Sequence, residues 1–107
     1  MTTYLATTFT PSMLAPRTRA LVREIECEEA RGLARGAVSA VGHEVTAHIL
    51  TQKLGYPVQF SRVSLTLQPG DAVVCVIPQF RAEVAREFTR EEIERAPFRC
   101  FHVEVSG

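Results

Sequence analysis

Residues 72–77 read AVVCVI, an unbroken apolar run. A segment that is apolar on both faces belongs at the centre of a sheet. The stretch before it, RVSLTLQ at 62–68, alternates instead. Val63, Leu65 and Leu67 take one face, and Arg62, Ser64, Thr66 and Gln68 take the other. PGD at 69–71 reads as a turn between the two. Two strands about a tight turn predict a hairpin.

The other segments supply neighbours for that strand. TYLATTF is short and β-rich, and TPSMLAP at 10–16 reads as a loop closed by Pro11 and Pro16. RALVREI at 19–25 reads as a strand, and CEEARGLAR at 27–35 as a short helix ending around Gly36. A longer helix is predicted from Ser39 to Leu54, with Gly55 and Pro57 as stop signals. TREE at 89–92 is a capping box, Thr89 with Glu92, opening a helix that must end before Pro97. FRCFHVEV closes the chain as a strand. At 107 residues, with no internal repeat, this is one α/β domain. The expected architecture is a mixed sheet of about five strands flanked by helices.

Charge narrows the function. Twelve basic residues balance 12 acidic ones, which argues against a binder of long nucleic acid. A small anion held by arginines stays open, since Lys53 is the one lysine and arginine suits bidentate phosphate contacts. Cys27, Cys75 and Cys100 are odd in number and lack CxxC spacing, so neither a disulfide framework nor a zinc site is predicted. The histidines, at 43, 48 and 102, lack ligand spacing, and no carboxylate cluster awaits magnesium, so no metal or cofactor is expected. MTTYLATTF lacks the marks of a signal peptide, and no apolar stretch is long enough to span a membrane. A cytoplasmic location is the expectation.

The 39–54 helix holds two local conflicts, Gly42 and His43. Glycine costs a helix interior up to about 1 kcal/mol relative to alanine, and an imidazole in an apolar stripe needs a partner. At about 100° per residue, Ala40, His43, Ala47, Leu50 and Leu54 share a stripe, with Val38, Val41, Val45 and Ile49 nearly opposite. A second copy of the chain would cover the second face, predicting a homodimer. The alternative cover is the 27–35 helix or the 10–16 loop. His43 lies near the helix start, where unpaired N–H groups favour an anion. An acid there suits phosphodiester cleavage; the competing reading is a core histidine bonded to a carbonyl. His48 points about 140° away from His43, and His102, alternating with Glu104, is expected to face the surface. Arg62 and Arg81 stand at strand ends, where ligands gather, or are solvated charges. Thr7, Thr8, Thr10 and Ser12 offer hydroxyls near the first strand's end, or simply reflect β-propensity.

SAVGHEVTAHILTQKLG, SRVSLTLQPGD and AVVCVIPQFR, with YLATTFTPSML before them, resemble the viral ring nucleases of the type III anti-CRISPR family. The shared signature is a helix opening S-x-x-G-H, an arginine-led strand, a G-D turn and an arginine after the next strand. The resemblance implies a dimeric, metal-independent enzyme that cuts the messenger cyclic tetra-adenylate to linear di-adenylate. It places the catalytic histidine on His43, the arginine after the central strand on Arg81 and the strand-leading arginine on Arg62. Thr7, Thr10 and Ser12 correspond to the loop over the ligand, and Ser39, Gly42 and Gln79 complete the implied binding set. The family's R-L-x-E-G reads RAEVA here: Val84 takes the glutamate position, Ala85 the glycine, and Glu83 lies next door as the substitute acid. Thr7 stands where an asparagine is common. Two other classes fit the same residues: a cyclic oligoadenylate-binding sponge without catalysis, and an interaction module with no nucleotide.

Overall fold

The apolar run becomes β4 (Ala72–Pro78) and lies mid-sheet, as its two apolar faces require. The computed structural model of the chain describes residues 1–80 and 88–107. The remaining strands are β1 (Thr3–Ala6), β2 (Arg19–Ile25), β3 (Val38–Ser39) and β5 (Phe98–Ser106). Their order is β2-β5-β4-β1-β3, a five-stranded mixed sheet. β1 runs parallel to both β4 and β3, while β5 runs antiparallel to both β4 and β2.

The pleat sends alternate side chains into two cores. On one face Val74, Val76, Leu5 and Cys100 pack with Ala30 of α1 (Cys27–Leu33), its C-cap Ala34, and Ala47, Leu50 and Leu54 of α2 (Glu44–Leu54). On the other, Val73, Cys75, Val103 and Val105 pack under loop residues Phe9, Met13, Leu14 and Leu67. The sheet thus has helices on one side and loops on the other. The capping box on Thr89 and Glu92 forms and opens α3 (Arg90–Arg95), which ends before Pro97.

Three expectations are corrected. The hairpin does not form: both edges of β4 are occupied by β1 and β5, so 62–68 has no strand to pair with. Only Leu67 makes ladder contacts, its N–H donating to Met13 and its carbonyl accepting from Ala15, at 2.7 and 2.9 Å. The PGD turn does form, with Gly70 at φ +94° and the buried Asp71 carboxylate accepting from the N–H groups of Thr2 and Gln68. Glycine is the residue suited to that positive φ.

Second, the long helix starts at Glu44 rather than Ser39. The backbone of 38–41 goes to the sheet instead: Tyr4 pairs with Val38, the Ala40 N–H donates to Leu5 at 2.8 Å, and Val41 bridges Phe60. Groups committed to a ladder cannot also close helical turns. Val38 and Val41 therefore leave the supposed second face, and α3 packs on α2, where Ile49 and Ile93 are both fully buried. Third, His102 is not at the surface. It shares a face with Cys100, α1 packs over β5, and the imidazole side chain is 13% exposed, 3.4 Å from the Glu104 carboxylate.

Candidate functional site

Because β3, β1 and β4 run parallel, their carboxyl ends meet along one margin of the sheet, where open α/β sheets collect ligands. Three connections leave there: Thr7 after β1, residues 40–43 after β3, and residues 79–80 after β4. Between them is a crevice of about 600 Å³ lined by Thr7, His43, Glu44, Thr46, Ile77 and Phe80, among others.

His43 is the N-cap of α2, with extended backbone at φ −128° and ψ 128°. Its carbonyl accepts from the Ala47 N–H at 2.9 Å, while its side chain makes no capping bond. The ring is exposed and, among the described residues, has no hydrogen-bonding partner. It is neither inside a helix nor in the core, so the reading of a packed histidine falls. A free imidazole beside the unpaired N–H groups of a first helical turn can bind an anion and donate a proton to it. Gly42 next to it has no positive φ, and a methyl group added there would meet nothing within 4 Å. Among the described residues, neither backbone strain nor packing calls for that glycine. The opposite wall is aromatic: Phe80 meets Phe98 edge-on and Phe88 at a tilt, each with centroids 5.5 Å apart.

Of the residues expected at a site, the fold joins only Thr7 to His43 in this crevice. Thr10 and Ser12, their hydroxyls 2.8 Å apart, line a separate hollow of about 350 Å³ on the loop side of the sheet. Ser39 lines a third depression and its hydroxyl donates to the Gln59 carbonyl at 2.6 Å, which pins the chain after β3. Arg62 is exposed in an irregular segment and heads no strand. Gln79 is exposed beside Phe80, its amide donating to the Ile77 carbonyl at 3.2 Å. Arg81 and Glu83, with Val84 and Ala85, lie outside the described residues. His48 is exposed on α2, apart from the crevice. Among the described residues no group of histidines, cysteines and carboxylates is arranged to hold a metal ion, and no helix is long and apolar enough to cross a membrane.

Sequence reasoning missed Glu44, Thr46 and Phe80. Glu44 and Thr46 follow His43 directly, and a helix start moved to Glu44 would have put both in the first turn. Phe80 follows the central strand, where ligands gather, and that position was its signal.

Comparison with known proteins is consistent along the chain. It is 33% identical over 86 residues to "Uncharacterized protein 26" of Sulfolobus islandicus filamentous virus, covering 78% of this chain and 73% of that one. Among solved structures it resembles B116 of Sulfolobus turreted icosahedral virus, with a TM-score of 0.85 at 19% identity. That match covers 97% of this chain and 99% of the other, and it shows a shared fold. The STIV B116-like family model matches residues 3–100, and the chain belongs to that family.

Proposed function

We propose that the chain is a metal-independent ring nuclease that binds cyclic tetra-adenylate and cuts it to linear di-adenylate, shutting off type III CRISPR signalling. The observation that carries this reading is His43, exposed at the N-cap of α2 and sharing a crevice with Thr7. A phosphodiester seated on the first-turn N–H groups of α2 lies within reach of that imidazole. Attack of a ribose 2′-hydroxyl, whose proton passes to water, forms a new bond to phosphorus, leaves a 2′,3′-cyclic phosphate and expels the 5′-oxygen, which takes its proton from His43. The open space at Gly42 admits the ring backbone, and Phe80 offers a face for adenine stacking. By resemblance, Arg81 steadies the phosphorane-like transition state and Glu83 assists proton transfer; Gln79, beside Phe80, contacts the ligand from the rim.

The cyclic ligand has two-fold symmetry, so a homodimer presents one His43 to each of two opposite phosphodiesters. Val38 and Phe60, near the β3 edge, and Val63 are half exposed and give a second copy apolar surface to cover. Sedimentation at micromolar concentration should therefore give a dimer.

Chromatography of cyclic tetra-adenylate incubated with the protein in EDTA tests the activity. Linear di-adenylate is the expected product. Retention of intact ring on the protein would instead identify a sponge, and neither product nor binding would overturn the nucleotide reading altogether.

A further inference from the structure

Cys27 and Cys100 are separated by 73 residues in sequence, and the fold brings their sulfur atoms to 2.9 Å. Cys27 is the first residue of α1, and Cys100 sits on β5 opposite Ile25 of β2. Cys100 is buried in the helix-side core, and Cys27 is half-buried against it. A separation of 2.9 Å is closer than unbonded sulfur atoms ordinarily pack and about an ångström beyond a covalent S–S bond of ~2.05 Å. Cys75 faces the loop-side core, across the sheet from this pair.

We infer that Cys27 and Cys100 are a built redox site that closes to an intramolecular disulfide, tying the start of α1 to β5. The oxidant class is a small-molecule disulfide. The Cys27 thiolate attacks it, releasing one thiol and leaving a mixed disulfide on Cys27. Cys100 then loses its proton and attacks the Cys27 sulfur, expelling the second thiol. Two S–H bonds are lost, one protein S–S bond forms, and the oxidant is reduced to two thiols. The order of attack follows from access: Cys27 is partly exposed, whereas burial pushes the Cys100 thiol up and keeps it protonated until the mixed disulfide stands beside it. Burial also raises the Cys75 thiol, to about 11, and leaves it inert at neutral pH. The crosslink closes a long loop in the unfolded chain, and that restriction stabilises the fold.

The test uses the full chain, reduced and then incubated with oxidised glutathione. Thiols are counted in denaturant, and non-reduced peptides are mapped by mass spectrometry. The reduced chain has three thiols; the oxidised chain should have one, with Cys27 linked to Cys100, two hydrogens lost and no glutathione attached. Its Tm should rise by about 10 °C or more over the reduced form. Cys75→Ser should leave the oxidised chain with no free thiol. Three surviving thiols, glutathione retained on Cys27, a link to Cys75 or a link between chains would each overturn the inference.

Discussion

Two depressions flank the end of β1, one on each face of the sheet, and they differ in chemistry. The helix-side crevice has His43 at a helix start, Thr46 and the aromatic wall of Phe80. The loop-side hollow has Thr8, Thr10, Ser12 and Ser64 among apolar neighbours and, among the described residues, no titratable group. Adjacent threonines just past the end of β1, Thr7 and Thr8, line hollows on opposite sides of the sheet. Hydroxyls are thus spread over both faces, whereas His43 and the start of α2, the proposed proton donor and anion site, are on one. Of the two, only the helix-side crevice has a titratable side chain with which the proposed chemistry could be done.

The largest expected effect tests that assignment. His43→Ala should lower the single-turnover rate on cyclic tetra-adenylate by about 10² to 10⁴ while affinity stays nearly constant. Because the ring is exposed and caps α2 only through its backbone, the Tm should not change. A variant that cleaves at the parent rate would remove His43 as the acid and dissolve the contrast between the two depressions.

A smaller effect sharpens it. Thr7→Val should weaken binding or turnover by about threefold to tenfold, the loss of one hydrogen bond. Thr8→Val, one residue on, should leave both unchanged. Equal losses for the two variants would show that the ligand reaches across the strand end to both faces.

The smallest effect comes from a pair that touches neither depression. The hydrogen bonds from Arg99 hold the exposed Glu24 carboxyl below its ordinary value. Its contribution is therefore present above the usual carboxylate range and fades as the pH falls through the lowered value. The Tm difference between the parent and Glu24→Gln should be slight at neutral pH, shrink with added salt, and vanish in acid. A difference that persists in acid would mean the pair acts through packing.

The segments legible in the sequence carry their own local signals. RALVREI forms β2, TREE forms the cap of α3, and AVVCVI is central because both of its faces are apolar. The alternation of 62–68 was also real in one respect, since Leu65 and Leu67 turn to the core. Yet alternation specifies which way side chains face, not which backbone pairs with which, and β4 had already been filled on both edges. The site divides in the same way. His43 stood out as a residue in conflict with a helix, and the conflict disappears once the helix begins at Glu44 rather than Ser39. Phe80 was marked only by its place after the central strand, and the Cys27–Cys100 pair had no local mark.

By itself, then, the sequence determined the α/β class, the central strand, the capped third helix and the singling out of His43. Those features depend on neighbours within a turn or a pleat. Only the tertiary structure decided that 38–41 joins the sheet, that Thr7 rather than Thr10 or Ser12 faces His43, and that Cys27 meets Cys100. Each of these depends on which distant backbone or side chain competes successfully for the same hydrogen bonds and the same buried space, and that competition is settled across the whole chain at once.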